Sequence, residues 1–249
     1  MCTLVILRRP DHAWPLVLAG NRDELAGRRS RPPAAHWPDR PGVVAGLDEF
    51  AGGSWFGVNA GGVAAVVMNR EGSLGPLPDK RSRGELVLEA LDHAEAQEAA
   101  EALADLDPDA YRPFNLFVGD PLAAYWVRHA GDGRIGIREV PPGTHMIAAG
   151  ELDDDGQARI RRFLPSFRTA TCPQPERGDW SGWQRLLTDR APAQPGIPET
   201  AMAFAREDGF RTRSHHLLAI PKYPAPENPP LFLYADSDAD APVFERVPV

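Results

Sequence analysis

The sequence predicts an α+β protein built in layers, and three observations predict it. Apolar and β-branched runs of strand length come in adjacent groups at the start, middle and end of the chain. The Ala-, Leu- and Glu-rich stretches with helical spacing fall between those groups and do not alternate with single strands, which argues against a βαβ order. The 249 residues are 43% hydrophobic and 25% charged, enough to bury a sizeable core, and no composition shift or low-complexity linker divides them. Residues 1–249 are therefore expected to form a single domain.

Cys2 to Leu7 is a buried-strand candidate, Arg8 to Trp14 a loop around Pro10, and Pro15 to Gly20 a second strand-length run. If these two runs form an antiparallel hairpin turning near Asp11 or His12, Cys2 comes to stand opposite roughly Asn21. Glu24 to Pro41 is rich in Arg and Pro, poor composition for regular structure. A second hairpin follows, with Gly52 to Val58 and Val63 to Met68 around the turn Asn59-Ala60-Gly61-Gly62. Ser82-Arg83-Gly84-Glu85 has the form of a capping box, opening a helix with Leu86, Val87, Ala90, Leu91 and Ala94 on one face. Glu95 to Leu106 predicts a second helix, stopped by Asp107-Pro108.

Strands return at Phe114 to Val118, Ala123 to His129, Ile135 to Val140 and His145 to Ala149, separated by Gly-, Asp- and Pro-rich turns. Helices are expected over Gln157 to Phe167 and Trp180 to Thr188, with a loop from Ala191 to Pro198. Phe210 to Ile220, Leu231 to Ala235 and Pro242 to Val247 read as closing strands around a proline-rich connection. Asp153-Asp154-Asp155 reads as a solvated turn, without the pattern of a calcium loop.

Net charge is −8 and the isoelectric point about 5.4, which argues against nucleic acid as a partner, since phosphate contacts need clustered Lys and Arg. No stretch is long enough for an integral membrane segment, and Met1 to Gly20 lacks the order of a signal peptide. Two cysteines, Cys2 and Cys172, give no disulfide framework and fit a reducing, cytoplasmic setting. His12, His36, His93, His129 and His145 are isolated, so no metal and no required cofactor is expected. His215-His216 cannot ligate one metal from one side, because strand neighbours point to opposite faces; one exposed and one satisfied imidazole is expected. Cys172-Pro173 reads as a loop cysteine.

The chemistry concentrates at Cys2 and Asn21-Arg22-Asp23-Glu24. Removal of Met1 would give Cys2 a free α-amine, whose usual pKa of about 7.7–8.0 suits it to act as base for its own thiol. A nearby Arg22 favours the thiolate, and Asp23 can hold Arg22 or the amine. Asn69, at the end of the second hairpin, can donate to an oxyanion. Arg213, on a closing strand, can anchor a substrate carboxylate. Trp55 and Phe56, with Trp14 and Trp37, can wall an apolar pocket.

Asn21-Arg22-Asp23-Glu24 also resembles the name-giving motif of the NRDE family, the transport and Golgi organisation family. The resemblance extends to Met1-Cys2, Gly52 to Val58, Arg83 to Val87, Phe114-Asn115-Leu116, Pro142 to His145 and Arg211 to Ser214, in order along most of the chain. It implies the four-layer αββα sandwich of N-terminal-nucleophile hydrolases. It also implies a protein that binds and traffics an amphipathic small molecule, with haem or acyl-CoA as the ligands proposed for the family and no protein partner known. The ligand-binding residues would be Asn21, Glu24, Trp55, Phe56 and His215. The alternative is a cysteine amidohydrolase similar to those cleaving bile-salt and penicillin amides, with Cys2, Arg22, Asp23, Asn69 and Arg213 in the catalytic roles. One departure from the pattern is Ala148-Ala149-Gly150, which stands where a second Asn is expected.

Overall fold

The structure, a computed structural model, describes residues 2–238 and 241–249. Met1, on whose removal the N-terminal chemistry depends, lies outside the described residues. Among them, two antiparallel sheets stack face to face and helices cover both outer faces, giving the αββα layering. No described helix is long and apolar enough to cross a membrane.

The six-stranded sheet holds β1 (Thr3–Arg8), β2 (Leu16–Leu25), β10 (Gly143–Ile147), β11 (Phe210–Ile220), β12 (Leu231–Asp236) and β13 (Glu245–Val247), in the order β10-β1-β2-β11-β12-β13. The seven-stranded sheet runs in sequence order: β3 (Ser30–Ala34), β4 (Val43–Asp48), β5 (Phe56–Asn59), β6 (Ala64–Asn69), β7 (Phe114–Gly119), β8 (Ala124–His129) and β9 (Ile135–Glu139). Helices α1 (Gly84–Leu91) and α2 (Ala96–Ala104) cover the second sheet; α3 (Ala158–Thr169) and α4 (Ser181–Leu187) cover the first.

Strand parity explains the unbroken apolar runs. Leu4, Ile6, Leu16, Leu18, Leu218 and Ile220 pack between the sheets, while their neighbours Val5, Leu7, Val17, Ala19, Leu217 and Ala219 pack under α3 and α4. A strand buried on both faces has no polar side to alternate with. The same parity governs the polar end of β2.

Several expectations change. Ser30–Ala34 and Val43–Asp48 are strands, although the first lies in the Pro- and Arg-rich stretch. Prolines are admitted because β3 is an edge strand whose outer N–H groups have no partner to bond. The capping box does not form: α1 starts at Gly84, whose N–H donates to Ser82 Oγ at 3.3 Å, and Glu85 accepts instead from Tyr111 at 2.6 Å. The Asp153 turn is not merely solvated, since its carboxylate accepts from the Met146 N–H and pairs with His145 at 2.7 Å. Neither His215 nor His216 is exposed.

Candidate functional site

The hairpin of β1 and β2 turns around His12, setting Thr3 opposite Asn21 and bringing Cys2 beside Arg22. That is one position from the expected pairing of Cys2 with Asn21. Strand β2 runs on past the end of β1, so Arg22 to Leu25 keep only β11 as a partner. Along this extension, successive side chains point to opposite faces. The polar tetrad is divided in two as a result.

Asn21 and Asp23 face the helical layer. Asn21 donates to the carbonyls of Leu187 at 2.9 Å and Met202 at 2.8 Å, and its Oδ1 meets His215 Nδ1 at 2.7 Å. It therefore ties α4 and the following loop to the sheet. Asp23, fully buried, accepts from Arg159 Nη1 at 2.9 Å and Thr212 Oγ1 at 2.7 Å; Arg159 also donates to Thr3 Oγ1 at 2.7 Å. Burial opposes ionisation of Asp23, but the positive charge around it, Arg159 included, holds its pKa below the ordinary value. His215 is pushed down to about 4 by burial, so it is a neutral hydrogen-bonding element here and does not reach the cleft.

Arg22 and Glu24 face the other way and line, with Cys2, a cleft of about 330 Å³ at one end of the sandwich. Arg22 lies over the Trp55 ring, 4.0 Å from its centre, and donates to Ser30 Oγ at 2.7 Å. Trp55 in turn donates to His216 Nε2 at 3.1 Å, and His216 stacks on Phe56 with ring centres 4.9 Å apart. Phe56 thus supports the floor without lining the cleft. Trp14 and Trp37 belong to the two outer cores, away from it.

Cys2 Sγ accepts from the Asp23 N–H at 3.4 Å, which fixes the sulfur at the cleft wall. Burial, and after it the Asp23 carboxylate, raise the thiol pKa above its ordinary value. A thiolate at Cys2 would therefore need a base placed beside it. Asn69 lines the same cleft from the end of β6, and its amide meets no hydrogen-bonding partner among the described residues. Arg213 does not join them. It occupies the β-bulge between Thr212 and Ser214 and donates to the carbonyls of Leu25 and Ala26.

At the position of the missing Asn, the register of β1 with β10, carried two residues on, brings Ala149 beside Cys2. The Ala149 N–H already donates to Gln157 Oε1 at 3.1 Å, and Asn115 grips the carbonyls of Ala148 and Gly150. That backbone amide is spoken for, which leaves Asn69 as the side-chain donor at hand.

Three site features were not foreseen: Arg83, Arg112 and Arg159. Arg83 reaches the carbonyls of Ser73 at 2.9 Å and Pro113 at 3.0 Å, and Arg112 those of Leu74 at 2.6 Å and Gly72 at 3.0 Å. Together they shape the loop that walls the cleft. The sequence signal for Arg83 lay in Arg83-Gly84-Glu85, which reads as a helix start and as part of the family resemblance but carries no site role there. Arg159, in the first turn of an amphipathic helix, gave none. Among the described residues, no group of three or more His, Cys, Asp or Glu comes together as a metal site.

A family model described as Transport and Golgi organisation 2 matches residues 1–185. No curated protein sequence matches the chain. Among solved structures, a Caenorhabditis elegans ortholog of N-acylethanolamine-hydrolyzing acid amidase is similar at a TM-score of 0.58 and 11% identity, over 91% of this chain and 95% of that one. Two variants of conjugated bile acid hydrolase from Clostridium perfringens are similar at TM-scores of 0.55 and 0.57, with 12% and 13% identity, over 99% and 98% of this chain and 92% of each of theirs. At these identities the likeness is one of fold, the N-terminal-nucleophile hydrolase sandwich.

Proposed function

The chain belongs to the Transport and Golgi organisation 2 family, and on that premise we propose that it is an N-terminal-nucleophile hydrolase that cleaves the amide of an amphipathic small molecule, with Cys2 as the nucleophile. The observation that carries this reading is the meeting of Cys2, Arg22 and Asn69 in one cleft at the start of β1. The fold neighbours add weight, because the three named above are structures of an acid amidase and of a conjugated bile acid hydrolase.

Once Met1 is removed, the α-amine of Cys2 takes the thiol proton, and Sγ attacks the amide carbonyl. Asn69 donates to the oxyanion of the tetrahedral adduct. The α-ammonium returns its proton to the departing nitrogen, the C–N bond breaks, and a thioester remains on Cys2. Water then adds to that thioester with the amine again as base, releasing the acid and the thiol. Arg22 favours the thiolate by charge, and Asp23, held by Arg159 and Thr212, fixes the strand end where this happens.

Binding and trafficking of acyl-CoA or haem in the same cleft is a second reading, favoured by the apolar side chains at its mouth. Among the described residues no histidine lines the cleft, so haem iron would have Cys2 as its ligand there. Either role is taken to belong to a single domain over 1–249, and the unpaired thiols of Cys2 and Cys172 suit a reducing, cytoplasmic setting.

Intact mass and thiol labelling test the proposal. Protein purified from its own host is expected to lack Met1 and to be alkylated at Cys2 faster than at the exposed Cys172. Complete retention of Met1, or slower labelling of Cys2 after its removal, contradicts it.

A further inference from the structure

The cleft is cationic within and apolar at its mouth, in a chain whose net charge is −8. Of its basic side chains, Arg28 is paired with Glu24 and Asp48, and Arg81 with Glu85 and Glu89. Arg22, Arg83 and Arg112 enter no ion pair among the described residues; they bond only to hydroxyl and carbonyl oxygens. Those dipoles orient the guanidiniums without neutralising them. Burial, and next the charge of Arg112, bring Arg83 down to about 10, as expected where positive charge is left uncompensated. Leu25, Phe50, Leu74 and Leu77, four of the nine large hydrophobics exposed among the described residues, line the same cleft.

We propose that the substrate is an N-acyl conjugate of a small amine that carries an anionic group, a carboxylate or a phosphate, with the anion held by Arg22, Arg83 and Arg112 and the acyl chain laid over Leu25, Phe50 and Leu77. This rests on the amidase reading, since it names the two halves of the bond that is cleaved. The orientation follows from desolvation: the reverse pose sets an alkyl chain among guanidiniums and strands the anion on an apolar rim. Guanidinium forks suit both carboxylate and phosphate oxygens. Cys2, just before β1, lies beside Arg22 of the neighbouring β2 at about the 5 Å spacing of adjacent strands, so a scissile carbonyl at Cys2 leaves room for a short amine. Hydrolysis consumes one water: the carbonyl carbon gains its hydroxyl and leaves as a carboxylate, and the nitrogen leaves as the amine still bearing the anion.

The test separates binding from turnover. The Cys2→Ala chain, which cannot form a thioester, is titrated calorimetrically with N-octanoylglycine, N-octanoyl-2-aminoethyl phosphate and the neutral N-octanoylglycinamide. At least one anionic conjugate is expected to bind tenfold or more tightly than the glycinamide. That advantage is expected to shrink about tenfold when Arg22→Gln or Arg83→Gln is added. Arg22→Gln leaves the 72–75 loop contacts in place, and thermal unfolding of each variant reports whether the fold is kept. Equal binding of all three compounds, or an advantage untouched by either substitution in folded protein, overturns the proposal. An intact anion preference with no octanoate released by the Cys2 protein lacking Met1 counts against the hydrolytic step and not against the anion site.

Discussion

Asn21 and Asp23 hold the strand end, and Arg22 and Glu24 face the cleft; the four residues are adjacent in sequence and opposite in orientation. Replacing Asp23 by Ala leaves the buried Arg159 guanidinium without its carboxylate, a loss of about 3–5 kcal/mol. Asn21→Ala leaves two carbonyls and the His215 nitrogen unbonded, at about 1–3 kcal/mol for each buried orphan. Arg22→Ala removes one hydrogen bond and a ring contact at the cleft, about 1–2 kcal/mol, while abolishing the charge beside Cys2. Urea unfolding of the three variants checks this order, and an Arg22→Ala variant less stable than Asp23→Ala would contradict it. The tetrad and its nearness to Cys2 were legible in the sequence because hairpin pairing is arithmetic. Its division was not drawn, although period two already implied it. Arg159 was illegible for another reason: it meets Asp23 across 136 residues, and nothing local marks that contact.

At the scale of elements, two glycine motifs turn out to be one device. A Cβ on Gly53 would stand 2.5 Å from the carbonyl carbon of Gly84, so the segment before β5 and the start of α1 lie backbone against backbone. The Ser54 N–H donates to the Gly84 carbonyl at 2.9 Å. Trp55 and Arg83, next in line on either side, are set into the cleft by that contact. Gly53→Ala is expected to cost about 1–3 kcal/mol by overpacking and to lower kcat/KM by moving Arg83. Gly27→Ala, where nothing lies within 4 Å, serves as the neutral control. Equal melting temperatures for the two variants would refute the role given to this contact. The strands of the first hairpin and of β6 to β8 were readable from their apolar runs. Strand β4 was missed because Gly46 and Asp48 interrupt its pattern; Gly46 is required there, since a Cβ would lie 2.4 Å from the Trp55 ring. The unmade capping box shows tertiary contact overriding a local signal, with Glu85 drawn to Tyr111.

Three imidazoles, His129, His215 and His216, are buried among the described residues, and the last two set the molecule's acid stability. Burial lowers His215 to about 4 and His216 well below its usual 6.5. Below pH 6.5 the unfolded chain takes up protons that the folded chain refuses, so stability falls as pH drops from 6.5 towards 4 and is fully present above that window. For His215 alone the loss is about 3 kcal/mol. Asp23, whose pKa lies below the ordinary carboxylate value, adds its own loss only at lower pH. Urea midpoints taken between pH 7 and 4 are expected to fall, and a flat profile would contradict the neutral, buried state of both rings. The layered α+β class could be read from the grouping of strands and helices. The cleft could not, because its walls come from the end of β2, the end of β6 and the 72–84 loop, brought together only by stacking the sheets. The central claim is that Cys2 is a nucleophile, and mass spectrometry of the protein mixed with an N-octanoyl amide and quenched in acid tests it most directly. An N-terminal peptide that begins at Cys2 and carries one octanoyl group, absent in Cys2→Ala, is the expected result; turnover of the amide with Cys2 never acylated, or with the Cys2→Ala chain equally active, would contradict it.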